Sequence, residues 1–186
     1  CDTLLMTEGS GLYLAGPALV KAAIGQVVSD EELGGASMHA AISGTIDFKE
    51  KDDEACIGRL RSLVAKYGDE GTDTHRHAGT KGDSKKGQPF HPGERVYDVF
   101  RDAPGSQYDA RDVIETLVDS GLKSESLVAD FDEYKADYGQ SLVCGYAKIG
   151  GHACGIVANQ KKLTTRQMPG GKSGPGKFTN MPGVIY

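Results

Sequence analysis

The sequence contains no tryptophan, and no apolar run approaches the roughly 18 residues that a membrane-spanning helix needs. Hydrophobic residues make up only 38% of its 186 residues and aromatics 7%. Positive charge is also short: 21 Lys and Arg face 26 Asp and Glu, a net charge of -5. That balance argues against a nucleic-acid-binding domain, which is usually basic. No basic, then apolar, then small progression marks a signal peptide at the start. Four cysteines in a chain of this length do not make a small disulfide scaffold. Glycine, in contrast, is plentiful at 26 residues. The size fits one ordinary domain or portions of two larger ones. Cys1 runs straight into Leu4-Leu5-Met6, and Gly183-Val184-Ile185-Tyr186 reads as the opening of a buried strand. Domain ends are usually polar and exposed, so a piece of a longer polypeptide is expected.

Local signals are clearest in residues 1–67. Leu12, Leu14 and Ala15 read as the end of a strand. Gly16-Pro17 opens a helix, with Pro17 where a missing N–H costs nothing, and Gly25 closes it in the left-handed conformation. Ser29-Asp30-Glu31-Glu32 is a capping box. Gly34-Gly35 ends that short helix, and Thr45 to Lys49 reads as extended. Asp52 to Tyr67 gives the strongest helix, with Cys56, Leu60, Leu63, Val64 and Tyr67 on one face. Residues 68–95 hold six Gly, five acids and five bases, and read as an exposed linker. Order resumes with a helix capped by Asp109, facing Val113, Ile114, Leu117 and Val118 inward and stopped at Gly121. Phe131 and Tyr134 mark a short amphipathic stretch. Leu142 to Asn159 forms a hairpin about Gly150-Gly151. A two-residue turn sets Ile149 opposite His152, hence Cys144 opposite Val157 and Cys154 opposite Ala147. The last two thiols then point to opposite faces and stay unbonded, as in a cytoplasm or organelle matrix. Residues 161–186 read mostly as a basic surface loop.

Several strings suggest chemistry. Gly171 to Lys177 nearly spells a phosphate-binding loop, but Phe178 stands where a Ser or Thr should bind magnesium. His75, His77 and His91 with Asp73 are metal-ligating types, set in the most polar segment rather than on a rigid frame. His152 and Cys154 share a strand face without further ligands nearby. The stretch Leu14 to Gly44 stands apart. It joins a Gly-Pro helix start, a Gly-ended helix, a capping box, a glycine pair and His39. Such elements let backbone N–H groups approach an anion or a carbonyl oxygen closely; they also serve as plain turns between packed helices.

The order of these elements resembles the carboxyltransferase (beta) subunit of biotin-dependent acyl-CoA carboxylases, most of all the methylcrotonoyl-CoA type. The resemblance is carried by Leu14-Ala15-Gly16-Pro17-Ala18-Leu19-Val20-Lys21-Ala22-Ala23, Gly25, Val28-Ser29, Leu33-Gly34-Gly35-Ala36, His39, Ser43-Gly44 and Asp47. Further on it is carried by Tyr108 to Ile114, Tyr138-Gly139, Leu142 to Ala147, Gly155 to Asn159 and Gly183 to Tyr186. It covers nearly the whole chain except 68–95 and 163–180.

The resemblance implies an α/β crotonase-like fold of ββα layers. Residues 1–67 would close the N-terminal, acyl-CoA-binding domain, 68–95 would be the polar glycine-rich linker, and 96–186 would begin the C-terminal, biotin-binding domain. The implied reaction moves a carboxyl group from carboxybiotin to an acyl-CoA without a metal. Implied partners are a biotin carboxylase, a biotin carboxyl carrier subunit that bears the biotin, and further copies of the same subunit, in a cytoplasm or mitochondrial matrix. Both oxyanion-hole glycine pairs of the family fall outside these residues, so no catalytic residue is expected here and the chain alone is expected to be inactive. Gly16, Pro17, Val20, Gly25, Val28, Gly34, Gly35 and His39 carry over as pocket-wall residues, with His39 equally readable as a hydrogen-bonded structural histidine. Lys21 could meet a CoA phosphate or simply face solvent. The alternatives are a decarboxylase subunit of the same fold in a sodium-pumping complex and a non-catalytic interaction module.

Overall fold

Glycine and proline bound the first helices, and the rest of the chain is organised by where strands find partners. A computed structural model describes residues 1–67, 87–100, 105–123, 126–167 and 178–181. By backbone proximity the chain forms two units. One comprises 1–57, 135–140 and 165–181, the other 58–134, 141–164 and 182–186.

In the first unit, strand β1 (Leu5–Thr7) pairs in parallel with β2 (Phe48–Glu50), Leu5 lying opposite Phe48. Parallel pairing needs a crossover. It is made by helices α1 (Pro17–Ile24), α2 (Asp30–Gly34) and α3 (Ala36–Met38), the last running into a π turn at His39–Ser43. Met6, Ala36, Ala40 and Ile46 form the core, with Leu4 packed against it. The Asp47 carboxylate accepts the Leu4 N–H at 2.8 Å while the Leu4 carbonyl accepts the Asp47 N–H at 2.9 Å. The strand expected to end at Leu12–Ala15 lies earlier instead, because Gly9 turns with φ 79° and breaks the extended run. Leu14 is fully exposed, and Leu19, Ile24 and Val27 on and after α1 are more than half exposed.

Helix α4 (Asp53–Tyr67) starts at Asp52, whose carboxylate accepts the Ala55 N–H at 2.8 Å. That bond holds the Asp52 carboxyl below its ordinary range. The expected inward face is only partly right. Leu63 is buried, but Leu60 and Val64 are 44% and 66% exposed. In the second unit the half-buried polar residues of this helix, Arg59, Ser62 and Lys66, turn instead to the carboxylates of Asp130 and Asp132.

The second unit continues through a 3-10 turn at Gly93–Arg95, α5 (Val96–Val99) and α6 (Ala110–Leu117). Asp109 caps α6, as expected, by accepting the Arg111 N–H at 3.0 Å. Ile114 and Val118 are buried, but Leu117 is 53% exposed, and the helix stops at Leu117 rather than Gly121. Gly121 belongs to β3 (Ser120–Lys123), antiparallel to β4 (Ser126–Ala129). Strands β5 (Phe131–Tyr134), β6 (Leu142–Ile149) and β7 (His152–Asn159) make an antiparallel sheet in that order. The hairpin register is the expected one, with Ile149 opposite His152, Cys144 opposite Val157 and Cys154 opposite Ala147. Gly150 and Gly151 both take positive φ, 61° and 81°, and the Asp119 carboxylate accepts their two N–H groups at 2.9 and 2.7 Å. All four cysteines are free.

Ala110, Ile114 and Val118 of the α6 segment pack on Val143 and Ala147 of β6. Gln160, 1% exposed, accepts the Ala110 N–H at 2.9 Å and donates to Asp109 at 2.8 Å, which ties the sheet to the start of α6. The stretch expected to be mostly loop holds one further strand pair, β8 (Thr164–Gln167) with β9 (Phe178–Met181). The phosphate-loop string at 171–177 and Asp73, His75 and His77 lie outside the described residues.

Candidate functional site

Around Leu12 the backbone of the first unit is laced unusually tightly. The Leu12 N–H donates to the Gly34 carbonyl at 2.8 Å, and Gly11 bridges Gly35 in antiparallel fashion. Only glycine fits at 34: a Cβ there would stand 2.4 Å from the Leu12 carbonyl oxygen and 2.5 Å from the Tyr13 ring. The Tyr13 ring also lies against Gly11 and Gly16, and its hydroxyl donates to Asp30 at 2.9 Å. This bond and the Asp30 charge raise the Tyr13 phenol above its ordinary value.

From this lacing the chain enters α1. Gly16 is extended (φ -70°, ψ 168°) and its carbonyl accepts the N–H groups of Leu19 and Val20 at 3.0 and 3.1 Å. Pro17 begins the helix, and Gly25 ends it at φ 71°. The capping box forms in full. The Glu32 N–H donates to the Ser29 hydroxyl at 3.2 Å and the Ser29 N–H donates to the Glu32 carboxylate at 3.1 Å. The Ser29 hydroxyl, which also donates to Glu32, holds the Glu32 carboxyl below its ordinary range. His39 is half-buried and stands at the start of the π turn. One ring nitrogen, Nε2, lies 2.6 Å from the Leu12 carbonyl oxygen, and Nδ1 lies 2.9 Å from the Ser43 hydroxyl.

Of the eight expected pocket-wall residues, Gly34, Gly35 and His39 gather on the Gly11–Leu12 backbone, and Gly16 joins them through the Tyr13 ring. Pro17 and Val20 are half-buried on α1, while Gly25 and the half-buried Val28 lie at and beyond its C-terminal end. Tyr13 at the hub was not singled out in the sequence, although an aromatic residue set among three glycines (9, 11 and 16) and a capping-box acid was its signal. Lys21 is exposed.

A second cluster belongs to the other unit. The Lys66 ammonium, with only 6% of its side chain exposed, donates to Asp130 and Asp132, both at 2.6 Å. Asp132 also accepts from Ser62 at 2.6 Å and pairs with Arg59. Burial pushes the Asp132 carboxyl up. Lys66, Ser62 and Arg59 together outweigh it and hold the group below its ordinary range. Beside this network lies a cavity of about 190 Å³, lined by Leu63, Lys66, Tyr146, Ala153, Cys154 and Gly155. Burial, then the Asp119 charge, pushes the Cys154 thiol up against an opposing effect of Lys66. Among the described residues no three His, Cys, Asp or Glu gather as a metal would require, so His91, His152 and Cys154 remain without a ligand set there.

Comparison with known proteins gives a consistent result. Residues 1–185 match the family model described as the carboxyl transferase domain. The biotin-dependent 3-methylcrotonyl-coenzyme A carboxylase beta1 subunit of Mycobacterium tuberculosis is 34% identical over 165 residues, covering 87% of this chain and 28% of that protein. The mitochondrial methylcrotonoyl-CoA carboxylase beta chain of Arabidopsis thaliana is 36% identical over 165 residues, covering 85% of this chain and 26% of that one. A solved transcarboxylase 12S structure, described as a hexamer with hydrolysed methylmalonyl-coenzyme A bound, aligns with a TM-score of 0.62 at 31% identity, over 86% of this chain and 29% of its own. The chain thus spans between a quarter and a third of the length of these relatives.

Proposed function

Because this chain belongs to the carboxyl transferase domain family and has its crotonase-like α/β fold, we propose that it supplies the acyl-CoA-binding wall of a biotin-dependent acyl-CoA carboxyltransferase. The whole protein would move a carboxyl group from carboxybiotin to a short or branched acyl-CoA such as 3-methylcrotonoyl-CoA. The observation that carries the reading is the alignment, over 86% of the chain, with a structure described as holding hydrolysed methylmalonyl-coenzyme A.

The wall would be built from Gly16, Pro17, Val20, Gly25, Val28, Gly34, Gly35 and His39. Its chemistry is that of close approach. Gly34 carries no side chain and lets the Leu12 carbonyl and the Tyr13 ring lie directly on it, while Gly35 bridges Gly11 with the Glu31 carboxylate packed over it. A wall of this kind would orient a thioester without offering a competing nucleophile. Fixing reactants in this way can account for a large share of a transfer reaction's rate.

The described side chains of the second unit give no ground for assigning any of them to biotin. The cations beside its cavity, Lys66 and Arg59, are already engaged by Asp130 and Asp132, and the rest of the lining is mainly apolar. No step through biotin is therefore assigned to these side chains. Glycine pairs that would stabilise an enolate are also not assigned in this chain, so binding rather than turnover is its share of the work. Partners would be a biotin carboxylase, a biotin-bearing carrier and further copies of the subunit. The test is calorimetric titration of the complete subunit with 3-methylcrotonoyl-CoA, propionyl-CoA and free CoA. Saturable binding of a thioester, tighter than CoA alone, is expected; no binding of any thioester would refute the reading.

A further inference from the structure

We infer that His39 is a positioning residue. Its imidazole fixes the Leu12 carbonyl, and with it the backbone that leads into α1, through an Nε2–H donor, while the Ser43 hydroxyl satisfies Nδ1 on the other side. The inference rests on the acyl-CoA reading of this wall and adds to it a role for one side chain that need not touch the substrate.

The proton can be placed by elimination. A carbonyl oxygen only accepts, so at 2.6 Å from the Leu12 oxygen the Nε2 atom must carry the hydrogen. In the neutral ring Nδ1 is then the acceptor, and the Ser43 hydroxyl donates to it across 2.9 Å. The His39 carbonyl is also within reach of that hydroxyl at 3.4 Å, but Nδ1 at 2.9 Å is the nearer acceptor; Ser43 Oγ then accepts from the Thr45 hydroxyl at 2.9 Å and from the Thr45 N–H at 3.3 Å. A single directed chain thus runs from Thr45 through Ser43 and His39 to the Leu12 carbonyl.

Both ends of this chain are anchored. The π turn closes on Gly44, which is left-handed at φ 66°, and the N–H groups of Gly44 and Thr45 both return to the His39 carbonyl. π turns inside helices are rare and are often found at functional sites. Behind the turn stands Lys135, itself at a positive φ of 52°. Its ammonium donates to the Gly44 carbonyl at 2.5 Å and pairs with Asp47 at 2.9 Å, and its N–H donates to the Asp47 carbonyl at 2.9 Å. The Tyr138 ring covers Gly44 so closely that a Cβ would meet it at 3.0 Å. At the other end Leu12 is held from its N–H side by Gly34. The imidazole therefore joins an anchored turn to the Leu12 carbonyl, which accepts no other hydrogen bond among the described residues.

Residue shape supplies the test. A Gln amide places its nitrogen near the Nε2 position, whereas an Asn amide reaches only to Nδ1. In the complete carboxyltransferase subunit with its biotin-bearing partner, His39→Ala and His39→Asn should raise the KM for acyl-CoA about five- to tenfold, the worth of one hydrogen bond. Their kcat should fall by a smaller factor, and His39→Gln should recover most of the wild-type KM. A purely structural histidine predicts equal damage from Gln and Asn, and that result would overturn the inference. So would an unchanged KM in His39→Ala. Nitrogen-15 chemical shifts of wild-type protein give a readout independent of variant folding: Nε2–H supports the inference, and Nδ1–H overturns it. Wild-type protein that binds no acyl-CoA yet shows Nε2–H overturns the functional reading, and the positioning role with it, while the hydrogen bond itself stands.

Discussion

Replacing Asp132 with Asn should be among the most damaging polar substitutions in the second unit. The carboxylate is 8% exposed and accepts from Lys66, Ser62 and Arg59 at once. The amide keeps the shape but removes the charge, leaving Arg59 beside a neutral group and Lys66 with Asp130 alone. Breaking a buried ion pair costs roughly 3–5 kcal/mol; the surviving 2.6 Å bond from Lys66 to Asp130 places the loss at the lower end, about 3 kcal/mol. With an m-value of about 2 kcal/mol/M, the urea midpoint would move by about 1.5 M. The pH dependence has a definite sign. The folded Asp132 carboxyl titrates below its unfolded counterpart, because its three partners outweigh the upward push of burial. Its stabilising contribution is therefore complete above an unfolded value of about 3.9 and disappears as pH falls through the folded value. Urea titrations of wild type and Asp132→Asn should differ by a constant amount from pH 5 to pH 8 and converge below about pH 4. A Lys66→Met/Asp132→Asn double variant, measured alongside the singles, isolates the pair's coupling. A variant as stable as wild type at neutral pH, or a gap that persists unchanged in acid, would refute the reasoning.

Three other outcomes are expected. Gly34→Ala sets a methyl 2.4 Å from the Leu12 carbonyl oxygen, so it should cost about 1–3 kcal/mol in thermal unfolding and weaken acyl-CoA binding by the complete subunit. Gln160→Leu removes the buried acceptor of the Ala110 N–H and the donor to Asp109, and a loss of about 1–3 kcal/mol by urea titration is expected, with faster amide exchange at the start of α6. Mild oxidation should leave Cys144 and Cys154 unlinked in mass spectrometry. Iodoacetamide at pH 7.5 should label the exposed Cys1 before Cys154, whose thiol is pushed up by burial.

What could be read from the sequence was mostly local. The Gly25 stop, the Ser29–Glu32 capping box, the Asp109 cap and the Gly150-Gly151 turn are each set by residues within four positions of one another. The hairpin register followed from the turn alone, and with it the separation of Cys144 from Cys154. Where the reading failed, a distant partner had decided. The apolar run Leu12–Ala15 looked like a strand, but the Gly9 turn ends the extended run before it, and Gly34, more than twenty residues on, then takes the Leu12 N–H. The apolar stripe of α4 predicted burial of Leu60 and Val64, but the carboxylates of Asp130 and Asp132 draw the helix's cations inward instead. A buried ammonium flanked by two carboxylates is invisible to a hydrophobic pattern, because each member alone reads as a solvated charge.

The candidate site divides along the same line. Its glycines could be found because a missing side chain is a property of the residue itself, and their role needs only something close by. His39 could be found as a residue type, yet not as a donor, since the choice between its two nitrogens is made by the Leu12 carbonyl, with Ser43 completing the other side. Ser43 was within reach of a sequence argument, four residues along a helical turn, where side chains meet. Leu12 was not, because its carbonyl is available only after Gly34 has captured its N–H and turned the backbone. The tautomer of His39 is thus a product of the fold. The Gly34→Ala and His39→Ala variants should accordingly show coupled rather than additive effects on acyl-CoA affinity, since each loosens the same peptide. Strict additivity in a double-variant cycle would mean that the glycine and the imidazole act on separate parts of the wall.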